Sequence, residues 1–500
     1  MSQRYDALAT LVLLLFARAA LAATILPPAT GENYWVYFTD KNIHSASEYD
    51  AAIAQVASTY SPAAIQRRSL RSTTGAVFGY DDIYVASSYV DSVLTTGVQL
   101  RNNSSWLNAI SVTATADQLA RIEQLGFVDR VQRVAGIAQP QRVVGAIDAI
   151  ETSGTADTAV FYGSAEAQLN QINLPAAHAL GFTGAGVTIG VLDTGFKTSH
   201  EAFNHPGNVL NVIAEKDFVD EPNDMDTSTG VGSPTHGTYI LGVMGGYKPD
   251  TYVGGAYDAS FLLAKTEDTT REVQAEEDDW VAGLQWLEMN GADVVTSSLG
   301  YIDWYTASDL NGNTAVTTIA ADMAAAMGLP IVNAAGNEGH PGNRLIAPAD
   351  GDLVITVGAV NSSGTIASFS SSGPTADGRL KPEVLALGVG TQTVSASGDT
   401  SYASVSGTSL STPLVASTVA LMLQANPNLT VQQIRDILFS TADRAGNPDT
   451  TDYIYGYGVI DAEAAVLAAQ AVPEPATWSL LAAALSIGGV LLLVRRRRRG

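Results

Sequence analysis

Three residues of this chain have side chains that could cooperate in nucleophilic chemistry. Asp193 ends an apolar run that is typical of a buried strand, and His236 opens a run that is typical of a buried helix. Ser409 follows a loop of small residues and precedes a second helix-like run. A serine hydroxyl becomes a good nucleophile when a histidine takes its proton and a carboxylate orients that histidine. The three residue types therefore predict a serine hydrolase, although each residue taken alone also suits a helix cap or a strand-end turn.

The setting of Ser409 is compatible with a nucleophile. Gly407 allows a sharp turn of the backbone, and the residues from Pro413 to Leu423 predict a buried helix with Pro413 in its first turn. Backbone amides at a helix start favour negative charge, which develops on a substrate carbonyl during attack. We therefore expect Ser409 at a helix entry, with its hydroxyl presented to a substrate.

The chain order of the three residues separates the known classes of serine hydrolase. The order Asp, His, Ser differs from the order Ser, acid, His of α/β-hydrolases and from the order His, Asp, Ser of chymotrypsins. Four motifs then resemble the sequence blocks of the subtilases, the subtilisin-like serine peptidases, and the resemblance extends from about residue 184 to about residue 465. The motifs are Val-Leu-Asp-Thr-Gly at 191–195, His-Gly-Thr at 236–238, Ala-Ala-Gly-Asn at 334–337 and Gly-Thr-Ser-Leu-Ser-Thr-Pro at 407–413.

The resemblance implies a role for each residue. Ser409 would attack the peptide carbonyl, His236 would take and return the proton, and Asp193 would orient the imidazole. Asn337 would donate its side-chain amide to the oxyanion, together with the backbone amide of Ser409. The residues that resemble the substrate-binding segments of the family are Ser298, Leu299, Gly300, Ala335 and Gly336.

The resemblance implies no cofactor and no metal for catalysis, but structural calcium is common in the family. An acidic loop is a candidate for holding such an ion, and a solvated loop is the alternative. The carboxylates of this loop are Asp217, Asp220, Asp224 and Asp226.

Alternating apolar strands and helices from residue 163 to residue 471 predict an α/β domain with a parallel sheet. The resemblance implies a subtilisin-like parallel sheet flanked by helices.

A small α/β unit at 23–139 precedes this domain and resembles the inhibitor-like prodomain of subtilases. Strands are predicted there at 34–38, 106–112 and 128–134, and helices at 49–58 and 116–125. A basic cluster (Arg67, Arg68, Arg71) also lies in this unit. Residues 140–162 predict an exposed linker with the maturation site.

Both ends of the chain predict export. Residues 1–22 combine Arg4, an apolar run and small residues before a cleavage point, as a secretory signal peptide does. Residues 472–500 resemble a PEP-CTERM sorting tail, in which Val-Pro-Glu-Pro is followed by a transmembrane segment at 478–494 and five arginines. A permanent membrane anchor is the alternative. We expect an extracellular or cell-surface protein whose tail is inserted in the inner membrane at least transiently.

The composition narrows the classes of partner. Fifty acidic residues against 26 basic ones argue against nucleic acid, because phosphate binding needs a basic surface. The absence of cysteine excludes disulfides, a thiol nucleophile and cysteine-bound metal. The acidic stretch from Asp268 to Asp279 has two interpretations. It favours basic substrate side chains in outer subsites, or it is a solvated helix start.

The sequence therefore predicts a secreted or surface-held serine endopeptidase that works through an acyl-enzyme and is made as a self-processed precursor. Its partners would be polypeptide substrates, the membrane, and its own prodomain as intramolecular inhibitor and folding aid. The alternative from another class is a catalytically inactive surface binding protein on a subtilase scaffold. An aspartic peptidase would need a second Asp-Thr-Gly or Asp-Ser-Gly motif, and the chain has none.

Overall fold

The computed structural model describes residues 31–134, 161–219, 227–228, 233–268, 276–302, 305–444 and 452–473. No helix within these residues is long and apolar enough to cross a membrane. The predicted signal peptide, most of the linker and nearly all of the tail, including the predicted span at 478–494, lie outside the described residues. The domain bounds at those places stay predictions.

The N-terminal unit is an antiparallel sheet whose first strand is apolar on both faces. Val36 and Phe38 pack on the helices of the unit itself. Trp35 and Tyr37 alternate with them and join an apolar cluster that includes Trp280 of the larger domain. Because successive strand residues point to opposite faces, both faces of this sheet need cover, and the larger domain provides one of them. The elements are β1 (Glu32–Phe38), α1 (Ala46–Ala57), α2 (Pro62–Arg71), a 3₁₀ turn (Tyr80–Asp82), α3 (Ser87–Leu94), β2 (Gln99–Ser104), β3 (Ala109–Ala114), α4 (Ala116–Ile122) and β4 (Val128–Arg133), with sheet order β2-β3-β1-β4.

The larger domain is built on a seven-stranded parallel sheet. Six of its strands are buried almost throughout, as expected where helices cover both sides, and the edge strand Asn211–Asp217 is polar and partly exposed. In chain order they are β5 (Thr188–Asp193), β6 (Asn211–Asp217), β7 (Ser260–Lys265), β8 (Val294–Ser297), β9 (Ile331–Ala334), β10 (Ile355–Val360) and β11 (Val384–Leu387).

The order across this sheet is β11-β10-β9-β8-β5-β7-β6. The chain fills one side of β5 with β7 and β6 and then crosses to the other side with β8. Such a change of direction opens a crevice at the carboxyl ends of the strands, where open α/β sheets place their sites. Three short antiparallel ribbons complete the strands, and they pair Asn204–His205 with Asn208–Val209, Tyr247–Lys248 with Tyr252–Val253, and Thr391–Val394 with Tyr402–Val405.

One helix of the larger domain runs through the core. All residues from Thr408 to Leu423 in this helix are buried, and their low polarity allows it. The helices of the domain are α5 (Glu166–Gln171), α6 (Leu174–Ala179), α7 (Thr235–Gly245), α8 (Glu277–Asn290), α9 (Val316–Ala326), α10 (Thr408–Ala425), α11 (Val431–Thr441) and α12 (Ala462–Ala471).

The architecture confirms the predicted fold class, a parallel sheet flanked by helices and preceded by a small α/β unit. The details of the small unit differ from the prediction. Trp106 lies in the turn between β2 and β3, not in a strand, and β2, α2 and α3 were not predicted. The hydropathy pattern does not predict strand β2 because the strand is polar, with the sequence Gln-Leu-Arg-Asn-Asn-Ser.

Candidate active site

Asp193 and His236 are hydrogen-bonded at the carboxyl end of β5. Nδ1 of His236 lies 2.7 Å from Oδ1 of Asp193. The same oxygen accepts the backbone N–H of Thr194 at 2.7 Å. The Asp193 side chain is fully buried, and that of His236 is 14% exposed. Water is therefore largely excluded from this pair, and charge interactions there are stronger than in bulk solvent.

Two glycines let the helix that carries His236 approach Asp193. A Cβ atom on Gly237 would lie 2.2 Å from the carbonyl oxygen of Gly195. Gly195 has φ of +116°, and a Cβ atom there would lie 2.4 Å from the carbonyl oxygen of Thr227. A larger residue at 237 would push α7 away from the end of β5, and one at 195 would collide with the backbone at Thr227.

The hydrogen bond to Asp193 sets the protonation of His236. Burial lowers the pKa of His236, but the charge and the hydrogen bond of Asp193 outweigh burial, so this pKa lies above the usual 6.5. In the neutral ring, the proton on Nδ1 points at the carboxylate and Nε2 is the basic atom. Nε2 has no hydrogen-bond partner among the described residues. The imidazole is therefore arranged to take a proton at Nε2.

Ser409 lies in the first turn of α10 and is bonded to Ser298 in both directions. The Ser298 hydroxyl donates to the Ser409 carbonyl at 2.9 Å, and the Ser409 hydroxyl donates to the Ser298 carbonyl at 3.3 Å. The helix begins at Thr408, so the expectation that Pro413 would occupy its first turn is wrong. Helix α10 packs against α7, which carries His236.

The side chain of Asn337 is oriented by the residue before Ser409. The backbone N–H of Thr408 donates to Oδ1 of Asn337 at 2.9 Å, and the Thr408 hydroxyl donates to the same oxygen at 3.0 Å. With Oδ1 held by two donors, the NH₂ group is turned to the other side. The sequence predicted no role for Thr408. A hydroxyl directly before the predicted nucleophile was the feature that could have indicated one.

The five predicted substrate-binding residues follow two neighbouring strands. Ser298, Leu299 and Gly300 come directly after β8, and Ala335 and Gly336 come directly after β9. The two strands pair in parallel, so both segments lie at the carboxyl edge of the sheet. A Cβ atom on Gly300 would lie 2.1 Å from the side chain of Ile346, which explains the glycine. The structure brings the first segment to Ser409 through Ser298.

The described end of the acidic stretch, Glu276 to Asp279, is buried and not solvated, which corrects one of its two interpretations. Its last residues do start helix α8, but the N-terminal unit covers them. Nε of Arg101 lies 2.8 Å from Asp278, and Nη2 of Arg101 lies 3.0 Å from Asp279. The Trp35 indole donates to Glu277 at 3.2 Å. Arg101 belongs to β2, the polar strand that the sequence did not predict.

Asp217 of the candidate calcium loop forms a buried ion pair with Lys265 at 2.7 Å. Its charge is therefore already balanced by the protein. Asp220, Asp224 and Asp226 lie outside the described residues. Within the described ranges, no group of three or more His, Asp or Glu side chains is arranged to hold a metal ion.

Comparison with known families defines the class of protein. The subtilase (peptidase S8) family model matches residues 184–458, and a peptidase S8 propeptide model of Bacteroidota matches residues 33–144. The first match spans more than half of the chain, and this chain therefore belongs to the subtilase family. The predicted family, and its organisation as a serine peptidase preceded by a propeptide, are confirmed.

Individual relatives agree with this assignment. Subtilisin E of Bacillus subtilis (strain 168) is 35% identical over 301 residues, which are 59% of this chain and 70% of that protein. The subtilisin of Bacillus pumilus is 35% identical over 301 residues, which are 59% of this chain and 97% of that protein. The crystal structure of fervidolysin from Fervidobacterium pennivorans has the same fold, with a TM-score of 0.61 and 21% identity over 90% of this chain and 62% of that one.

Proposed function

We propose that this chain hydrolyses peptide bonds within polypeptides through an acyl-enzyme on Ser409. Nε2 of His236 takes the proton of the Ser409 hydroxyl while the oxygen attacks the carbonyl carbon of the substrate. The proton then passes to the leaving amine, and a water molecule repeats the sequence on the acyl-enzyme. Asp193 holds the tautomer and stabilises the imidazolium. The 2.7 Å bond between Asp193 and His236, beside the helix whose first turn holds Ser409, carries this proposal.

The oxyanion of the tetrahedral intermediate would be held by Asn337 and the backbone amide of Ser409. The two bonds from Thr408 to Asn337 Oδ1 support this role, because they direct the amide group that donates. Loss of one such donor lowers kcat by roughly 10²–10³, a value measured in a subtilisin that belongs to the family and is not specific to this chain.

Two backbone segments would bind the substrate in an extended form. The segment Ser298–Leu299–Gly300 would pair with the substrate main chain, and Ala335–Gly336 would line the side-chain pocket. Both begin where paired strands end, and Ser298 contacts the nucleophile directly. Catalysis by these residues needs no cofactor. Structural calcium, common in the family, stays without assigned ligands.

The precursor would be exported and would mature itself. The signal peptide directs secretion, the prodomain (residues 23–139) assists folding and blocks the cleft, and a cut between 140 and 162 releases the peptidase. The tail at 472–500 would hold the protein at the inner membrane as a PEP-CTERM-type sorting signal. The basis for the tail is the sequence pattern alone: Val-Pro-Glu-Pro, an apolar segment and five arginines.

The test compares the native precursor with the Ser409→Ala precursor. Both are followed by gel electrophoresis and mass spectrometry for self-cutting, and then incubated with unfolded casein. We expect only the native chain to trim itself and digest casein, and the new N-terminus identifies the maturation site. Casein digestion by the Ser409→Ala protein would remove Ser409 from the mechanism. A native chain that is folded and inert would favour the inactive binding protein.

A further inference from the structure

The prodomain helix α2 directs three arginines into the peptidase domain. Arg67, Arg68 and Arg71 are each at most 4% exposed. Their spacing places them on neighbouring positions of one side of the helix. The sequence shows them only as a basic cluster, which is usually solvated. Buried arginines need partners, and the contacts of these three show that the peptidase supplies most of them.

Glu288, in the last turn of α8, binds two of these arginines. The guanidinium of Arg68 donates two hydrogen bonds to the Glu288 carboxylate, from Nε to Oε1 at 2.8 Å and from Nη2 to Oε2 at 2.9 Å. Arg67 donates to Oε1 of the same carboxylate. The carboxylate is fully buried beneath the prodomain. Bidentate pairing of this kind fixes the direction of approach as well as the charge.

The arginines also bond to backbone carbonyls in the last turn of α8, just after α8 and just after α10. Arg67 donates to the carbonyl oxygens of Glu288 and Ala292. Arg71 donates from Nε to the Pro427 carbonyl at 2.8 Å and from Nη2 to the Asp293 carboxylate at 3.0 Å. The last carbonyls of a helix have no partner within it and carry the negative end of its dipole, so they favour cations.

Arg68 is held in place by the prodomain itself. Its guanidinium lies 4.7 Å from the ring centre of Tyr60 and 5.1 Å from that of Phe78. Nη2 also bonds to Asp82 of the prodomain at 2.9 Å. Arg67 differs, because Glu288 is its only carboxylate partner among the described residues. Arg68 is therefore oriented by its own domain, whereas the charge of Arg67 is balanced by the peptidase.

This contact lies at the opposite edge of the sheet from the catalytic residues. Helix α8 begins near the carboxyl ends of the strands and runs for 14 residues, on the order of 20 Å, to the amino ends. Asp293 lies immediately before β8, and its carboxylate accepts the backbone N–H of Thr188 at the start of β5. Asp193 and Ser298 lie at the other ends of these two strands. The contact is thus independent of the substrate cleft.

We propose that the α2 arginines, with Glu288 and Asp293, form an anchor that keeps the prodomain on the peptidase after the linker is cut. The inference rests on the proposed function in that the linker is cut during maturation. The partner that fits α2 is a peptidase domain with a carboxylate at the end of α8. A neutral residue there leaves the buried Arg67 without its counter-charge and leaves Arg68 with only Asp82 of the prodomain, so the anchor makes the prodomain selective for its own peptidase.

The experiment uses the full precursor with Ser409→Ala and a recognition sequence for a site-specific protease inserted between residues 140 and 160. The protein is nicked after folding, and loss of the prodomain fragment is followed by gel filtration at intervals. We expect the parent complex to persist and both Glu288→Gln and Arg67→Met to dissociate at least about tenfold faster. The two single substitutions remove the same interaction, that between Arg67 and Glu288. The double variant should therefore dissociate more slowly than the product of the two single effects predicts.

The matched control is Arg121→Met, which removes an exposed prodomain arginine whose side chain bonds only to Thr96 within the described residues. Dissociation of the Glu288→Gln and Arg67→Met complexes within twofold of the control would overturn the anchor. Circular dichroism before nicking checks folding. If Glu288→Gln does not fold, Arg67→Lys tests the anchor instead. This variant keeps the positive charge but loses the planar guanidinium group, and it should still accelerate release of the prodomain.

The outcome is independent of peptidase activity, because the cut is made by an added protease on a chain without its serine. A precursor that never digests casein but holds its prodomain through Glu288 contradicts the proposed function alone. An active peptidase whose prodomain leaves equally fast in every variant contradicts the anchor alone.

Discussion

The hydroxyl of Ser298 donates a hydrogen bond to the backbone carbonyl of Ser409 across 2.9 Å. This carbonyl is the acceptor that residue 413 would serve in a regular helix, and Pro413 has no N–H to donate. A side chain that follows strand β8 therefore completes helix α10 at the proposed nucleophile. Ser298 positions Ser409 in addition to the substrate-binding role that the family resemblance gives it.

Replacing Ser298 by alanine should leave the Ser409 carbonyl buried without its donor. We expect Ser298→Ala to destabilise the fold by about 1–3 kcal/mol, the usual cost of an unsatisfied buried polar group. kcat should fall by about tenfold while KM changes little, because the main chain at 298 is retained. Thermal unfolding of the precursor and steady-state kinetics of the mature enzyme on a peptide substrate measure the two effects.

Pro413→Ala provides the matching second variant. It restores a backbone N–H four residues after Ser409, and this amide can bond to the same carbonyl. The double variant Ser298→Ala/Pro413→Ala should therefore recover part of the stability and of kcat. If Pro413→Ala adds a further loss of stability and kcat, the Ser298 hydroxyl does not replace the missing helix bond.

Thr408 should affect catalysis through Asn337. Thr408→Val removes the hydroxyl that bonds to Asn337 Oδ1 at 3.0 Å, but it leaves the backbone donor to the same oxygen. We expect kcat to fall by about tenfold, less than the roughly 10²–10³ expected for Asn337→Ala, with KM nearly constant in both. Thr408→Ser keeps the hydroxyl and should behave like the native enzyme. A loss confined to KM would contradict the oxyanion role of Asn337.

The pH profile should report the raised pKa of His236. Burial lowers this pKa and Asp193 raises it by more, so the protonated form persists above the usual 6.5. His236 acts as a base only when it is neutral, and kcat/KM should therefore rise with pH to a midpoint above 6.5. Asp193→Asn removes the charge that raises the pKa, so its midpoint should move to lower pH while kcat falls by several powers of ten.

The measurement is kcat/KM between pH 5 and pH 9 for the native enzyme and for Asp193→Asn. Unfolding curves over the same range separate loss of the fold from titration. An unchanged midpoint in Asp193→Asn would show that another group controls the acid limb.

The proposed catalytic residues could be selected from the sequence because each lies in a short local motif. Asp193 and His236 have glycines near them in the sequence. The structure explains these glycines by close backbone contacts that a larger side chain would prevent, so the local sequence already indicates the site. The parallel sheet was predicted for the same reason, since its buried strands are continuous apolar runs. The start of α10 shows the limit of prediction from local sequence. The position of Pro413 predicts a later start, but a hydrogen bond from the distant Ser298 allows the helix to begin at Thr408.

The prodomain interface could not be predicted in this way. Arg101 lies on a polar strand, and α2 has charged residues at the positions that pack on the peptidase. Hydropathy patterns treat charged residues as solvated, whereas these are buried by partners more than 170 residues away in the chain. Only the tertiary pairing of charges identifies the acidic start of α8 as an interface.

Glu276, which directly precedes α8, should make the precursor less stable as the pH rises. Burial raises the pKa of its carboxyl to about 7, against the opposing effects of a bond from Glu267, a bond from the Asp268 backbone and the charge of Arg101. A raised carboxyl pKa means that the folded state binds a proton that the unfolded state has lost. Its stabilising effect is complete below the unfolded value of 4.5 and is lost as the pH rises to about 7.

The Ser409→Ala precursor, which cannot digest itself under the proposed mechanism, permits the measurement by thermal unfolding between pH 4.5 and pH 8. Glu276→Gln replaces the carboxyl by a neutral amide, so its stability should fall less over this range, by on the order of 3 kcal/mol at about 1.4 kcal/mol per pKa unit. Glu123→Gln, which alters an exposed prodomain carboxylate, should retain the full slope. Equal slopes in the Glu276 and Glu123 variants would show that Glu276 does not hold this proton in the folded precursor.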